Sequence, residues 1–142
     1  MNISALIENK KDEHVIVLST DGREQSLTIQ PKLDGFGSSA NGGELLFLAL
    51  ATCYCNDLYR EARKRGIAIE RVQVEVTGEF GAQGTAARNI SYRASVDAKA
   101  AREEIIDLMR HTDSVAEIQN TLRCSSQIML AYCEAREIQG PA

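Results

Sequence analysis

The chain contains no tryptophan, two prolines and two histidines, and it has no long hydrophobic run. Each shortage closes off a kind of function. Without tryptophan, tryptophan stacking can play no part, and no basic stripe interleaved with aromatics is present. A net charge of −4 and a pI near 5.2 further exclude broad binding of nucleic acid. The longest apolar run, Leu45 to Cys55, is far short of the roughly 20 residues that span a bilayer. The amino-terminal stretch Met1 to Lys11 has too short an apolar part for a signal peptide, and its charges follow that part instead of preceding it. A cytoplasmic location is therefore expected, with neither membrane nor nucleic acid as partner. Neither His14 nor His111 lies near a cysteine in sequence, and Cys53-x-Cys55 and Cys124-x8-Cys133 lack zinc-ligand spacing. A Cys–His hydrolase would need a histidine base; His111, near an expected helix end, reads as a dipole partner. The chain has no Cys-x-x-Cys, no P-loop and no Gly-x-Gly-x-x-Gly fingerprint. No metal and no cofactor is expected.

What is present fits one domain over residues 1–142. The hydrophobic fraction of 44% and charged fraction of 25% are ordinary for a globular chain of this length. Residues 2–8, 13–20 and 24–30 read as three strands, with Asp21-Gly22 as a hairpin turn and Pro31 ending the third. Leu33 to Gly43 is a loop rich in small residues. A long helix is expected over 43–65, capped near Asn41, carrying Glu44 in its first turn and Lys64 and Arg65 in its last, and stopped by Gly66. Its first half is apolar almost all round and should be buried on every side. So small a domain cannot supply that cover alone, which points to a second subunit.

Strict alternation at Val72, Val74 and Val76 predicts a half-buried strand over 72–80. Residues 88–97 read as the return strand, with Ile90, Tyr92, Ala94 and Val96 on one face. An amphipathic helix is expected over 98–111, with Ile105, Leu108 and Met109 inward. Ser114-Val-Ala-Glu117 has the spacing of a capping box opening a short helix. Another turn or two is expected over 127–132, and a last strand over 133–138. The fold class is α+β.

Four cysteines carry the visible chemistry. In a reducing compartment they indicate reduced or catalytic thiols in preference to a structural disulfide framework. Residues two apart on a helix point about 200° away from each other, so Cys53 and Cys55 part company. Cys55 falls with Leu48, Ala51, Leu58, Tyr59 and Ala62 and reads as a small core hydrophobe. Cys53 falls with Asn56, Asp57, Arg60 and Lys64 on the polar flank, where a thiol meets substrate. Cys124 follows Arg123 and precedes Ser125-Ser126, which could cap a following turn. A neighbouring cation and a helix amino terminus both favour thiolate. Cys133 has no such support. These local signals leave two readings open: a paired Cys53–Cys124 redox centre, or buried, inert cysteines.

Two segments carry a family resemblance that covers almost the whole chain. Gly43-Glu-Leu-Leu-Phe-Leu-Ala-Leu-Ala-Thr-Cys53 is similar to the Glu-Leu-Leu-x-Ala-Ala-x-Ala-x-Cys helix of the OsmC/Ohr family, the osmotically inducible and organic-hydroperoxide-resistance proteins. Val115-Ala-Glu-Ile-Gln-Asn-Thr-Leu-Arg-Cys124 is similar to the segment leading to that family's second cysteine. The resemblance implies an OsmC-like fold: an amino-terminal β-meander, a long buried central helix, two further strands, two short helices and a final strand, in an intertwined homodimer. It also implies a thiol peroxidase for small organic hydroperoxides, active in oxidative-stress defence. Cys53 would be peroxidatic and Cys124 resolving, with a lipoyl-type dithiol as reductant.

The chain departs from the family where the cysteine is activated. Gly42 and Gly43 stand where the peroxidases carry a Pro-Glu pair, and Glu44 falls one residue late, about 100° round the helix. Ser125 stands where a proline usually follows the second cysteine. The catalytic arginine has no clear match, Arg23 being the nearest candidate. An alternative reading follows from these gaps: an OsmC-like dimer that binds a small lipophilic ligand without peroxidase activity.

Overall fold

The computed structural model describes residues 1–124, 128, 129, 131 and 132. Three strands, β1 (Ile3–Lys10), β2 (Glu13–Thr20) and β3 (Arg23–Ser26), form an antiparallel meander in that order. Asp21 and Gly22 both take left-handed φ, +48° and +80°, as the tight turn between right-twisted strands requires. The third strand is shorter than the expected 24–30: its ladder on β2 stops at Val17↔Ser26. Beyond it Leu27 donates one hydrogen bond to Ile16, and Pro31 forms only an isolated bridge to Ser38. Every residue of β1 is exposed, and the meander has little packing against the helices.

Helix α1 (Gly42–Arg65) follows the sequence signals closely. The Asn41 side chain accepts from the Glu44 N–H at 2.9 Å, and the Glu44 carboxylate accepts from the Asn41 N–H at 2.8 Å, a reciprocal cap. Gly66 closes the helix at φ +69°. Strands β4 (Ala68–Glu79) and β5 (Arg88–Lys99) pair antiparallel, with Val72↔Val96, Val74↔Ala94 and Val76↔Tyr92 in register. The hairpin begins four residues before the expected start at 72, because a register shift between Ile69 and Arg71 returns Ile69 to the inner face, where it packs on the core.

Helix α2 (Arg102–Val115) is displaced by four residues from the expected 98–111. Ala98 and Lys99 are still paired to Ile69 and Ala68, so the strand claims them first. Helix α3 (Glu117–Arg123) is the expected short helix, but Ser114 does not cap it. Ser114 lies within α2 and its hydroxyl donates to the His111 carbonyl at 2.6 Å. Ala116 takes the capping position, so the Ser114–Glu117 box does not form. Ile128, Met129, Ala131 and Tyr132 lie in no helix or strand; the expected final strand over 133–138, Cys133 included, lies outside the described residues.

The core forms where α1 lies across the inner face of β4–β5 and against α2. Tyr54, Leu58 and Ala62 meet Leu108, surrounded by Ile69, Val72, Val74, Ala94 and Val96. The Tyr54 hydroxyl donates to the Met109 carbonyl at 2.8 Å, and its ring lies 4.9 Å from that of Tyr92. The buried stripe of α1 is thus Leu50, Tyr54, Leu58 and Ala62, at steps of four; Leu58 and Ala62 belong to the predicted stripe, whereas Leu50 and Tyr54 stand in place of Leu48, Ala51, Cys55 and Tyr59. Leu48 is 57% exposed and Tyr59 is exposed too, so within the single chain the apolar first half of α1 is not covered all round. No helix of the described residues is long and apolar enough to cross a membrane.

Candidate active site

Cys53 sits in the middle of α1. Asp57 lies four residues on and Arg60 seven, so helical phase stacks all three on one face. The beginning of α3 comes down over that face. The Cys53 thiol donates to Asp57 Oδ2 at 3.5 Å and lies 4.0 Å from Glu117 Oε2. The Ile118 backbone N–H also reaches the sulfur. Arg60 Nη1 ties the acids together, 2.7 Å from Asp57 Oδ1 and 3.3 Å from Glu117 Oε1, while its Nε lies 2.9 Å from Glu61.

Burial pushes the Cys53 thiol above its usual 9.0, and the Asp57 and Glu117 carboxylates add to this; the Ile118 N–H opposes it. The Asp57 carboxyl is also held above its ordinary range, first by burial and then by its hydrogen bond to Glu117, with Arg60 pulling the other way. Glu117 is held below its ordinary range, its own backbone N–H being the largest cause. The two acids thus divide their labour: Asp57 keeps a proton more readily, and Glu117 stays ionised.

Further along α1, Glu61 is buried among Arg60, Lys64 and His111, at 2.9, 2.8 and 3.4 Å, and is lowered to about 2, first by Lys64 and then by Arg60. The donor atoms of Cys53, Asp57 and Glu117 all lie within 4.8 Å of one another, a spacing that could hold a cation. Arg60 already supplies positive charge to both carboxylates, so the set does not need one.

The other sequence candidates occupy different settings. Cys124 is exposed and closes α3, its N–H bonded to the Asn120 carbonyl at 3.0 Å. It therefore lies at the carboxyl end of α3; the following turn that Ser125-Ser126 would cap lies outside the described residues. Nor does Arg123 attend it: the guanidinium is engaged by the Asp113 carboxylate at 2.6 Å and by Asn120 at 3.0 Å. Cys53 touches the first residue of α3 and Cys124 follows the last, seven residues or about 10 Å along the axis from Glu117. Both cysteines are free.

Glu44 is occupied in the cap of α1. Arg23 begins β3 in the meander, exposed. Cys55 is half-buried, beside a shallow groove lined by Ala51, Thr52, Asn56 and Val74, instead of lying in the core. At Gly43 a Cβ would come within 2.8 Å of the Phe80 ring, so a side chain there requires that ring to move aside.

The sequence placed Asp57 and Arg60 on the Cys53 flank but gave them no role, and it assigned Glu117 to a cap. Their i, i+4, i+7 spacing was the available signal for the first two. Nothing local announces Glu117. One turn before Cys53, an open cleft of about 240 Å³ is lined by Leu50, Ile90, Tyr92, Gln119, Leu122 and Arg123. Gln119 is almost wholly buried; its amide N–H donates to the Leu50 carbonyl at 3.0 Å, and its Oε1 has no partner among the described residues.

An α+β chain with a free cysteine on its long central helix and a second closing a short helix is a recognisable class. The sequence profile of the family described as OsmC-like protein matches residues 35–131, and the chain belongs to that family. Among solved structures it is similar to an OsmC-like protein from Mycoplasma pneumoniae, at 21% identity over 87% of each chain and a TM-score of 0.59. An OsmC-like protein from Vibrio cholerae shares 14% identity, covering 85% of this chain and 93% of that one, with a TM-score of 0.60. An organic hydroperoxide resistance protein from Elizabethkingia anophelis, solved with thiocyanate bound, shares 17% identity over 88% and 90%, with a TM-score of 0.52. No curated protein matches.

Proposed function

We propose that this protein is a thiol-dependent peroxidase that reduces organic hydroperoxides to alcohols through Cys53. The observation that carries the reading is the setting of that thiol: half-buried, held by polar partners from α1 and α3 together, and one helical turn from Leu50, which lines an apolar cleft. Fold neighbours that include an organic hydroperoxide resistance protein support the same substrate class. The Cys53 sulfur attacks the terminal peroxide oxygen; an S–O bond forms, the O–O bond breaks, and the alcohol leaves. The sulfur is oxidised by two electrons to a sulfenic acid. The Cys124 thiol then displaces water from that sulfenic acid to give a disulfide, which a dithiol of lipoyl type reduces by exchange. Bridging requires Cα atoms within about 7 Å, so this step calls for the exposed end of α3 to unwind. A second copy of the chain completes the cover over Leu48 and the exposed β1, forming the homodimer.

The test is consumption of cumene hydroperoxide with a dithiol reductant. The parent chain turns over and Cys53→Ser does not; equal rates in the two would sink the mechanism. A second reading is favoured by the cleft itself, whose apolar walls and unpartnered Gln119 oxygen suit a small lipophile carrying a hydrogen-bond donor. On that reading Cys53→Ala retains ligand binding, and stoichiometric peroxide produces no disulfide.

A further inference from the structure

Resting on the peroxidase reading, we propose that Asp57 and Glu117 act as a one-proton relay, taking the Cys53 thiol proton and delivering it to the oxygen that leaves as alcohol. Reduction of an alkyl hydroperoxide needs two proton movements. The thiol must lose a proton before the sulfur can attack, and the departing alkoxide is too basic to leave unprotonated. The cluster holds both functions in one place. Asp57 Oδ2 is the acceptor of the thiol hydrogen at 3.5 Å, and Glu117 Oε2 reaches the same sulfur from the other helix at 4.0 Å. An oxygen of each carboxyl lies within 4.8 Å of the other and of the sulfur, so a proton received by one has a short path to the other.

Arg60 lies between them and balances one negative charge, leaving the pair able to hold a single proton. Asp57 is 5% exposed, which keeps bulk water from supplying that proton in its place, whereas Glu117 opens towards solvent. The balance closes. Cys53–SH and R–O–O–H give Cys53–S–O–H and R–O–H, with sulfur oxidised by two electrons, the peroxide reduced by two, and the relay returned to its starting state.

The experiment compares two oxidants in single turnovers of the full-length chain. Cumene hydroperoxide leaves as an alkoxide and needs the relay's proton. Peroxybenzoic acid leaves as a carboxylate and does not. A change in thiolate availability or in folding alters both rates alike, so the ratio of the two isolates the acid. In Asp57→Asn the ratio of cumene hydroperoxide to peroxybenzoic acid rate constants falls about 10²-fold, the lower end of general acid catalysis. Glu117→Gln, on the exposed first turn of α3, lowers the ratio in the same direction and does not disturb a buried site. Ratios within threefold of the parent in both variants overturn the relay while leaving the peroxidase intact. If the parent itself shows no Cys53-dependent turnover of either oxidant, the peroxidase reading fails and the relay falls with it.

Discussion

The Cys53 thiol should react as a group that is almost fully protonated at neutral pH. Burial and two neighbouring acids raise it above 9.0, against one backbone N–H. A thiol raised beyond 9.0 is less than about 1% ionised at pH 7, and its thiolate fraction grows about tenfold per pH unit below that point. In a chain carrying Cys55→Ser, Cys124→Ser and Cys133→Ser, the rate of Cys53 alkylation by iodoacetamide should climb about tenfold from pH 7 to 8 and by more than about fivefold again to pH 9. Asp57→Asn removes the negative charge at 3.5 Å, so its curve shifts to lower pH and alkylation at pH 7 quickens. The sign of the stability effect follows. A folded-state thiol raised above its unfolded value contributes stability below the unfolded value, and loses it as the pH rises through the folded one. The parent's Tm should therefore fall above about pH 9 relative to Cys53→Ser. A plateau in alkylation rate below pH 8 would refute the account, because it would put the thiol below its ordinary value instead of above it.

Two further outcomes test the packing and the ion network. Leu58 is fully buried between α1, α2 and the β4–β5 face, so Leu58→Ala should cost about 2–5 kcal/mol, read as a lower urea midpoint. Glu61, lowered from 4.5 to about 2, gives stability that is complete above its unfolded value and lost as the pH falls from about 4.5 towards 2. Urea midpoints measured across that window should drop for the parent and stay flatter for Glu61→Gln; parallel curves would remove Glu61 from the explanation.

Much of the site's scaffold is legible before any coordinates. Asn41, Glu44 and Gly66 fix α1 because capping is local chemistry, and alternation fixes β4 and β5 because one face is buried. Helical phase alone separates Cys53 from Cys55 and groups it with Asp57 and Arg60. The failures share one cause, which is competition between neighbouring elements. Lys99 was assigned to a helix by composition, yet its pairing with Ala68 holds it in a strand and pushes α2 four residues on. Ser114 has the spacing of a cap but is absorbed by the helix before it. Glu117 reaches the sulfur only because α3 folds back across α1, a tertiary event with no local signature. Gly43 looks like a missing catalytic Glu in sequence; in space, it is where Phe80 packs.

The meander has a consequence of another kind. Strand β1 is an edge with eight exposed residues, and in the described chain its outer row of backbone N–H and C=O groups pairs with no neighbouring strand. Charged residues that discourage strand addition stand only at its far end, Glu8 and Lys10, while Ile3, Leu6 and Ile7 face water. Such an edge is a template for any extended backbone, a sister chain's included. The solution behaviour of this protein should then depend on its concentration. A charge placed at Leu6 would act as a gatekeeper at that edge.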